Sequence, residues 1–341
     1  MITTIRSKLY LRAAQRQASY YSARVAVARF SNNRALHKED PRISEIDRII
    51  EDEYAAVRDK YGSSPPCESN TKPANHVRAE APKNPIILAH GLLGFDELRI
   101  AGTVLPGIHY WRGITEALAA KGVEVITATV PASGSIEMRA KKLGEDIEAK
   151  AKGKSVNIIA GLDSRYMISQ LRPPNVKVLS LTTVASPHRG SAFADVMFDW
   201  IGPTNIPKLY KMLDFFGLET GAFSQLTRKY MQEDFNPKTP DVEGIWYYSY
   251  GATMEPAFWS MFRQSHRIVK RIEGPNDGLV SVTSSKWGTY KGTLKDVSHL
   301  DLINWTNRLR WFVWELTGNK RKFNAVAFYL DIADMLAKEG L

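Results

Sequence analysis

Apolar positions along this chain change character near Pro85. From there, short apolar runs alternate with segments of helical spacing. The runs "PIILAH" (85–90), "VEVITATV" (123–130), "VNIIA" (156–160), "VKVLSLTTVAS" (176–186) and "IWYYSYGAT" (245–253) predict strands. Between them, "WRGITEALAAKG" and "SIEMRAKKLGEDIEAKAKG" predict helices. Short β-branched runs, apolar at nearly every position, suit strands buried on both faces, and the intervening helices suit the crossovers of a parallel sheet. In such sheets, ligand chemistry gathers beyond the carboxyl ends of the strands.

Two stretches break this alternation. In residues 42–61, Ile43, Ile46, Ile49, Ile50 and Val57 recur at helical spacing among acidic neighbours, which predicts an amphipathic helix outside the main fold. A Pro-, Ser- and Asn-rich linker follows it. Residues 190–244 contain "FADVMFDWIGPTNIPKLYKMLDFFGL", a helical pattern rich in Phe, Trp, Leu and Met. That pattern fits a cap helix packed on the core and a mobile apolar lid equally well.

Composition then narrows the class. With 341 residues and 44% hydrophobic content, the chain can bury one large core. No apolar run is long enough for a membrane-spanning helix. The net charge of +10 suggests an anionic partner, but its distribution points elsewhere. Arg6, Lys8, Arg12, Arg16, Arg24, Arg29, Arg34 and Lys38 stand in a segment with no acid. With these set aside, the rest of the 46 basic side chains nearly balances the 36 acidic ones. An Arg-rich, acid-free start has the composition of a mitochondrial presequence, and a mitochondrial location is expected from it. A disordered basic tail is the plainer alternative. The single cysteine, Cys67, rules out an intramolecular disulfide. No nucleic-acid motif or metal cluster is visible, and the pattern is silent on oligomeric state.

Three strand ends carry candidate chemistry. His90, Gly91 and Leu92 follow "IILA", and glycine there lets the backbone turn and present amide donors, as an oxyanion hole requires. Asp277 stands in an Asn-Asp-Gly turn, and His299 precedes a helical pattern starting near Leu302. An acid followed by a histidine, both late in the chain, is the triad order of α/β-hydrolases. There Asp277 would orient the imidazole and His299 would be the general base.

The segments "ILAHGLLGFDEL", "HYWRGITEAL", "DSRYMI", "VASPHRGSAFAD", "NDGLV" and "HLDLINW" occur in the order seen in bacterial true lipases of the Pseudomonas and Burkholderia type. They resemble the related fungal mitochondrial triacylglycerol lipases more closely still. The resemblance runs from about Pro85 to Trp314. It implies an α/β-hydrolase fold, with a mainly parallel sheet, helices on both faces and a helical lid over 190–244. It implies hydrolysis of acylglycerol or other lipid esters at a lipid–water interface, with contact at a membrane or lipid-droplet surface. It implies Leu92 as an oxyanion-hole donor and Asp277 and His299 as triad members. No organic cofactor is implied. Family members that bind a structural calcium use two acids; Asp301 fits one, residues 252–276 offer no convincing second, and Trp305 stands where a bacterial relative carries a polar residue. The expected organisation is a presequence (1–40), a helix and linker (41–84), a hydrolase domain (85–320) and a C-terminal helical tail (321–341).

The decisive departure lies in "SVNIIAGLDSRYMISQL" (155–171). Relatives carry Ala-His-Ser-Xaa-Gly-Gly-Leu-Asp at this junction, with the nucleophilic serine on the turn. Here Ala160 joins directly to Gly161-Leu162-Asp163, so about four residues are missing, the serine among them. No G-x-S-x-G occurs elsewhere. Ser164 lies nearly two helical turns beyond the lost position, and Ser133 and Ser135 flank a glycine without forming an elbow. A triad without its nucleophile keeps a residual acceleration of roughly 10³–10⁴ over water, and that depends on an intact oxyanion hole. The chain as it stands is therefore expected not to form an acyl-enzyme. A segment lost from the transcript, a non-catalytic lipid-binding or scaffolding relative, and a partly misfolded product are the three accounts of the gap.

Overall fold

Each of the five predicted strands forms, with ends within two residues of those expected. In this computed structural model they are β2 (Ile86–Ala89), β5 (Val125–Ala128), β6 (Ser155–Ala160), β7 (Lys177–Val184) and β8 (Trp246–Thr253). The structure describes residues 49–50, 81–92, 97–98, 108–111, 113–132, 134–199, 221–258, 260–303 and 323–341. The 1–40 segment, most of 41–84, residues 200–220 and Trp305 lie outside the described residues.

Four further strands have no counterpart in the apolar pattern. β1 (Ile49–Ile50) and β9 (Thr289–Lys295) extend the sheet, and β3 (Glu97–Leu98) pairs antiparallel with β4 (Ile108–His109) in a separate ribbon. The sheet order is β1-β9-β8-β7-β6-β2-β5, and every neighbouring pair is parallel. At Ile49–Ile50, the two described residues of the helix expected over 42–61, the conformation is strand and not helix. Ile49 and Ile50 pair with Thr293 and Leu294, because the open edge of β9 offers backbone partners that a helix would leave unused. β9, "TYKGTLK", escapes pattern reading because lysine and glycine dilute its apolar signal.

Successive side chains of β2 serve opposite faces. Ile86 and Leu88 join one core with Ile114, Leu118, Phe328, Ile332 and Leu336. Ile87 and Ala89 join another with Ala140, Leu143, Ile147, Ile158 and Met167. α1 (Ile114–Ala120) and the C-terminal Ala325–Lys338 helix thus cover one face, while α2 (Ile136–Ala151) and α3 (Leu162–Tyr166) cover the other. The C-terminal helix, expected as a tail, is instead core, since Phe328, Ile332 and Leu336 have no exposed surface. Gly144 inside α2 permits close packing, because a Cβ there would meet Pro173 at 3.1 Å and Met167 at 3.5 Å.

Register places the site. Leu88 pairs with Ile159, Ile159 with Thr182, and Thr182 with Tyr248, so the carboxyl ends of β2, β6, β7 and β8 lie on one rim of the sheet, with β8 running five residues past Tyr248. Thr253 of β8 pairs with Lys295 of β9, which extends that rim to the segment carrying His299. The expected lid region divides in two. Residues 192–199 form helix α4, while Met231 and Phe235 are buried in a cluster with Ile136 and Leu162. The latter part of 190–244 is therefore packed against the body of the domain.

Candidate active site

Asp277 sits in a turn built to hold a carboxylate. Gly278 has φ +107°, and a Cβ on it would meet the Phe262 ring at 2.7 Å, so only glycine fits without strain. The Gly278 amide donates to Asn276 Oδ1 at 2.9 Å. Asp277 Oδ1 accepts from the Leu279 and Val280 amides at 3.0 and 2.8 Å. That leaves Oδ2 for His299, whose Nδ1 lies 2.7 Å away. The His299 amide also donates to the Asp277 carbonyl at 3.0 Å, joining the two loops through backbone as well. Asp277 is fully buried, whereas the His299 side chain keeps 34% of its surface exposed.

That environment sets the charge of the ring. Desolvation pushes the His299 pKa down, but the Asp277 charge and hydrogen bond outweigh it, so the net displacement is upward. A raised folded-state value means the pair stabilises the fold fully below the unfolded value. That contribution fades as pH rises through the folded value, where the ring becomes neutral and able to accept a proton. We expect the His299 ring proton in NMR to titrate above the ordinary value of about 6.5, and below it in Asp277→Asn. An identical titration in both proteins would show that Asp277 does not set the charge of this histidine.

At the β2 end, His90 is buried, with Nδ1 3.0 Å from the Gly91 carbonyl and its ring 5.6 Å from that of Tyr110. Tyr110 hydrogen-bonds the Gly91 backbone, and burial pushes its pKa up to about 12, so the phenol stays protonated. Gly91 is exposed and Leu92 half-buried. Asp301 Oδ2 accepts from the Ser298 amide at 3.0 Å and the Ser298 hydroxyl at 2.6 Å, opening the short helix Asp301–Ile303. Among the described residues, no three His, Cys, Asp or Glu side chains group as metal ligands would.

Between β6 and α3 the rim residue is Gly161, so no side chain projects there. A Cβ at this position would stand 3.2 Å from Ser186 Oγ. Ser186 follows Ala185, which takes a left-handed φ of +47° at the end of β7, a strained conformation for a residue with a Cβ. Ser164 is fully buried in α3, and its hydroxyl has no hydrogen-bond partner among the described residues. Ser135 is the N-cap of α2, accepting from the Met138 amide. Ser133 lies outside the described residues.

Two buried arginines escape a reading of the sequence. Arg139 is 2% exposed and binds the Asp163 carboxylate through Nε at 3.0 Å and a terminal nitrogen at 2.7 Å. It also donates to the Pro131 and His90 carbonyls. One guanidinium thus ties together the loops after β2 and β5 and the start of α3. The available signal is its position on α2, in phase with buried Ile136, Leu143 and Ile147. Arg165 donates to His188 Nδ1 at 3.2 Å and to Asn236 Oδ1 at 2.9 Å, and lies 3.5 Å over the Trp287 ring. A guanidinium has no acceptor, so His188 Nδ1 must accept. Its proton then sits on Nε2, 2.9 Å from Thr183 Oγ1. His188 is therefore a neutral, buried structural histidine.

The acid turn is also fastened to the start of the 192–199 helix. Ser191 Oγ donates to the Leu279 carbonyl at 2.6 Å, and Glu273 accepts from the Ala192 amide at 2.5 Å and from the Ser281 hydroxyl. Burial raises the Glu273 pKa, with its hydrogen bonds opposing.

This chain is 39% identical over 309 residues to triacylglycerol lipase 2 of Saccharomyces cerevisiae, covering 76% of this chain and 93% of that protein. It is 28% identical to a triacylglycerol lipase of Vibrio cholerae, covering 64% of this chain and 79% of that one. Among solved structures, the Staphylococcus hyicus lipase matches with a TM-score of 0.56 at 19% identity, over 76% of this chain and 97% of that chain. A metagenomic carboxyl esterase matches with a TM-score of 0.58 at 16% identity, over 82% of this chain and 81% of that chain. These structural matches place the chain in the α/β-hydrolase fold. No family model matches it.

Proposed function

The chain belongs to the triacylglycerol lipase family, and from that premise we propose that its site is built to bind and hydrolyse lipid esters but lacks its nucleophile. The observation that carries this reading is the Asp277–His299 pair on the same rim as Gly161. With Nδ1 engaged by Asp277, His299 Nε2 is the atom left to take a proton from an attacking hydroxyl. The Leu92 amide is the donor for the developing oxyanion. In a complete site, a serine hydroxyl would attack the ester carbonyl and pass its proton to His299. The imidazolium would then protonate the departing alcohol, and water would release the acyl group by the same route. In this chain the β6–α3 junction offers a glycine instead, so the first covalent step has no attacking atom.

Purified protein exposed to a serine-directed fluorophosphonate should remain unlabelled, and its turnover of a short-chain ester should match that of His299→Ala. Labelling that disappears in Ser164→Ala or Ser186→Ala would overturn the reading that the chain lacks a nucleophile. For the whole chain, residues 1–40 serve as a mitochondrial presequence, with support from the acid-free run of basic side chains. Fused to a reporter, this segment should direct import, and a reporter left in the cytosol would remove the mitochondrial assignment. The substrate side is an acylglycerol or related ester presented at a lipid–water interface.

A further inference from the structure

We propose that the 254–272 segment is a docking surface for a phospholipid bilayer carrying anionic headgroups. The proposal rests on exposed apolar side chains beside a helix face that carries only positive charge.

Helix α5 (Arg263–Ile272) contains no carboxylate. Its buried side is Ser265, His266 and Val269. At 100° per residue, Arg263, Arg267, Lys270 and Arg271 fall on the opposite arc. Arg267, Lys270 and Arg271 are exposed and Arg263 is half-buried. Arg267 and Arg271 pair with no carboxylate among the described residues, and Lys270 meets Glu255. The preceding loop folds back along this helix. Glu255 reaches Lys270, and Phe258 reaches Arg263, whose guanidinium lies 4.3 Å over its ring and donates to its carbonyl at 3.3 Å. Phe258 and Met261 are each 77% exposed, the most exposed of the large apolar side chains described. A soluble surface gains nothing by presenting such tips beside unneutralised cations. A headgroup region gains on both counts, because the apolar tips enter the acyl boundary while the cations meet lipid phosphates.

The placement also suits the site. The loop begins just past Thr253, at the carboxyl end of β8, and α5 leads directly to Asp277. Phe262, between the exposed Met261 and the helix, packs on Gly278 of the acid turn. Docking here would bring the strand-end rim toward the lipid, which deepens the lipase reading. Binding itself needs no hydrolysis, so either reading can fail alone.

The test is sedimentation of the full chain with phosphatidylcholine vesicles, with and without about 30% phosphatidylglycerol. Binding should favour the anionic vesicles and fall as salt rises. Each cation near the surface is worth about a fivefold change in partitioning, so Arg267→Gln with Arg271→Gln should weaken binding roughly 30-fold. Phe258→Ser with Met261→Ser should weaken it on anionic vesicles too. Lys154→Gln, at the opposite end of the sheet just before β6, should change nothing. These positions are solvent-facing, and an unchanged melting temperature confirms that each variant is folded. If the variants bind like the unaltered chain, membrane attraction comes from the basic 1–38 segment, and the proposal fails. Equal binding to neutral vesicles would also overturn it.

Discussion

Inserting His-Ser-Xaa-Gly between Ala160 and Gly161 is expected to confer reaction with fluorophosphonate and turnover of short-chain esters. The gain should be at least about 10³-fold, against the loss of about 10⁶ caused by removing the serine of a well-studied triad. The reason lies at the junction. Gly161 stands where β6 meets α3, on the rim shared with Asp277 and His299. A side chain placed directly at 161 would crowd Ser186 Oγ at 3.2 Å, so substituting Gly161 by serine is a poor repair. Four inserted residues rebuild the turn, supply the hydroxyl and return the amide after it, the second oxyanion donor. Labelling of the inserted serine should vanish in His299→Ala. In Asp277→Asn, turnover should fall by about 10⁴ if the acid works as it does in other triads. A folded insertion variant that neither labels nor turns over ester would show that Asp277 and His299 do not form a competent triad in this fold.

The second large effect is on stability. Arg139→Met should destabilise the domain by about 3–5 kcal/mol, because it strands a carboxylate and two carbonyls that the guanidinium now satisfies. At 2–4 °C per kcal/mol for a domain of this size, that is a fall of about 10 °C in melting temperature. The nearby exposed pair is the control. Lys142 and Glu145 are 53% and 51% exposed at 3.5 Å, and Lys142→Ala should fall within about 0.5 kcal/mol of the unaltered chain. Adding Asp163→Leu to Arg139→Met should recover part of the loss, since a buried pair replaced on both sides leaves no uncompensated charge. A melting temperature unchanged in Arg139→Met would mean that the guanidinium does not hold the strand ends together.

These two expectations differ in how far each is legible in the amino-acid sequence. The direct joining of Ala160 to Gly161 is a property of the sequence, visible once the flanking motifs are read in order. Arg139 is not visible there as a hub, because its partners Asp163, Pro131 and His90 come from the start of α3 and two separate loops. Its phase on α2 announces burial, but not what it binds. His188 shows the same limit. Its motif is legible, whereas its neutral state follows only from the Arg165 guanidinium and the Thr183 hydroxyl on its two nitrogens. Local pattern misleads at Ile49–Ile50, where a partner strand decides the conformation, and does not say how deeply the C-terminal helix is buried.

The order of residues alone establishes the alternation of strand and helix, the succession of candidate residues, the basic N-terminal segment and the direct joining of Ala160 to Gly161. Local periodicity and residue chemistry suffice for those. Folding in three dimensions is what brings Asp277 Oδ2 to His299 Nδ1 across 22 residues, and Gly161 to Ser186. It also aligns the strand ends into one rim. Those contacts depend on parallel register across the sheet, a long-range pairing that no local period encodes.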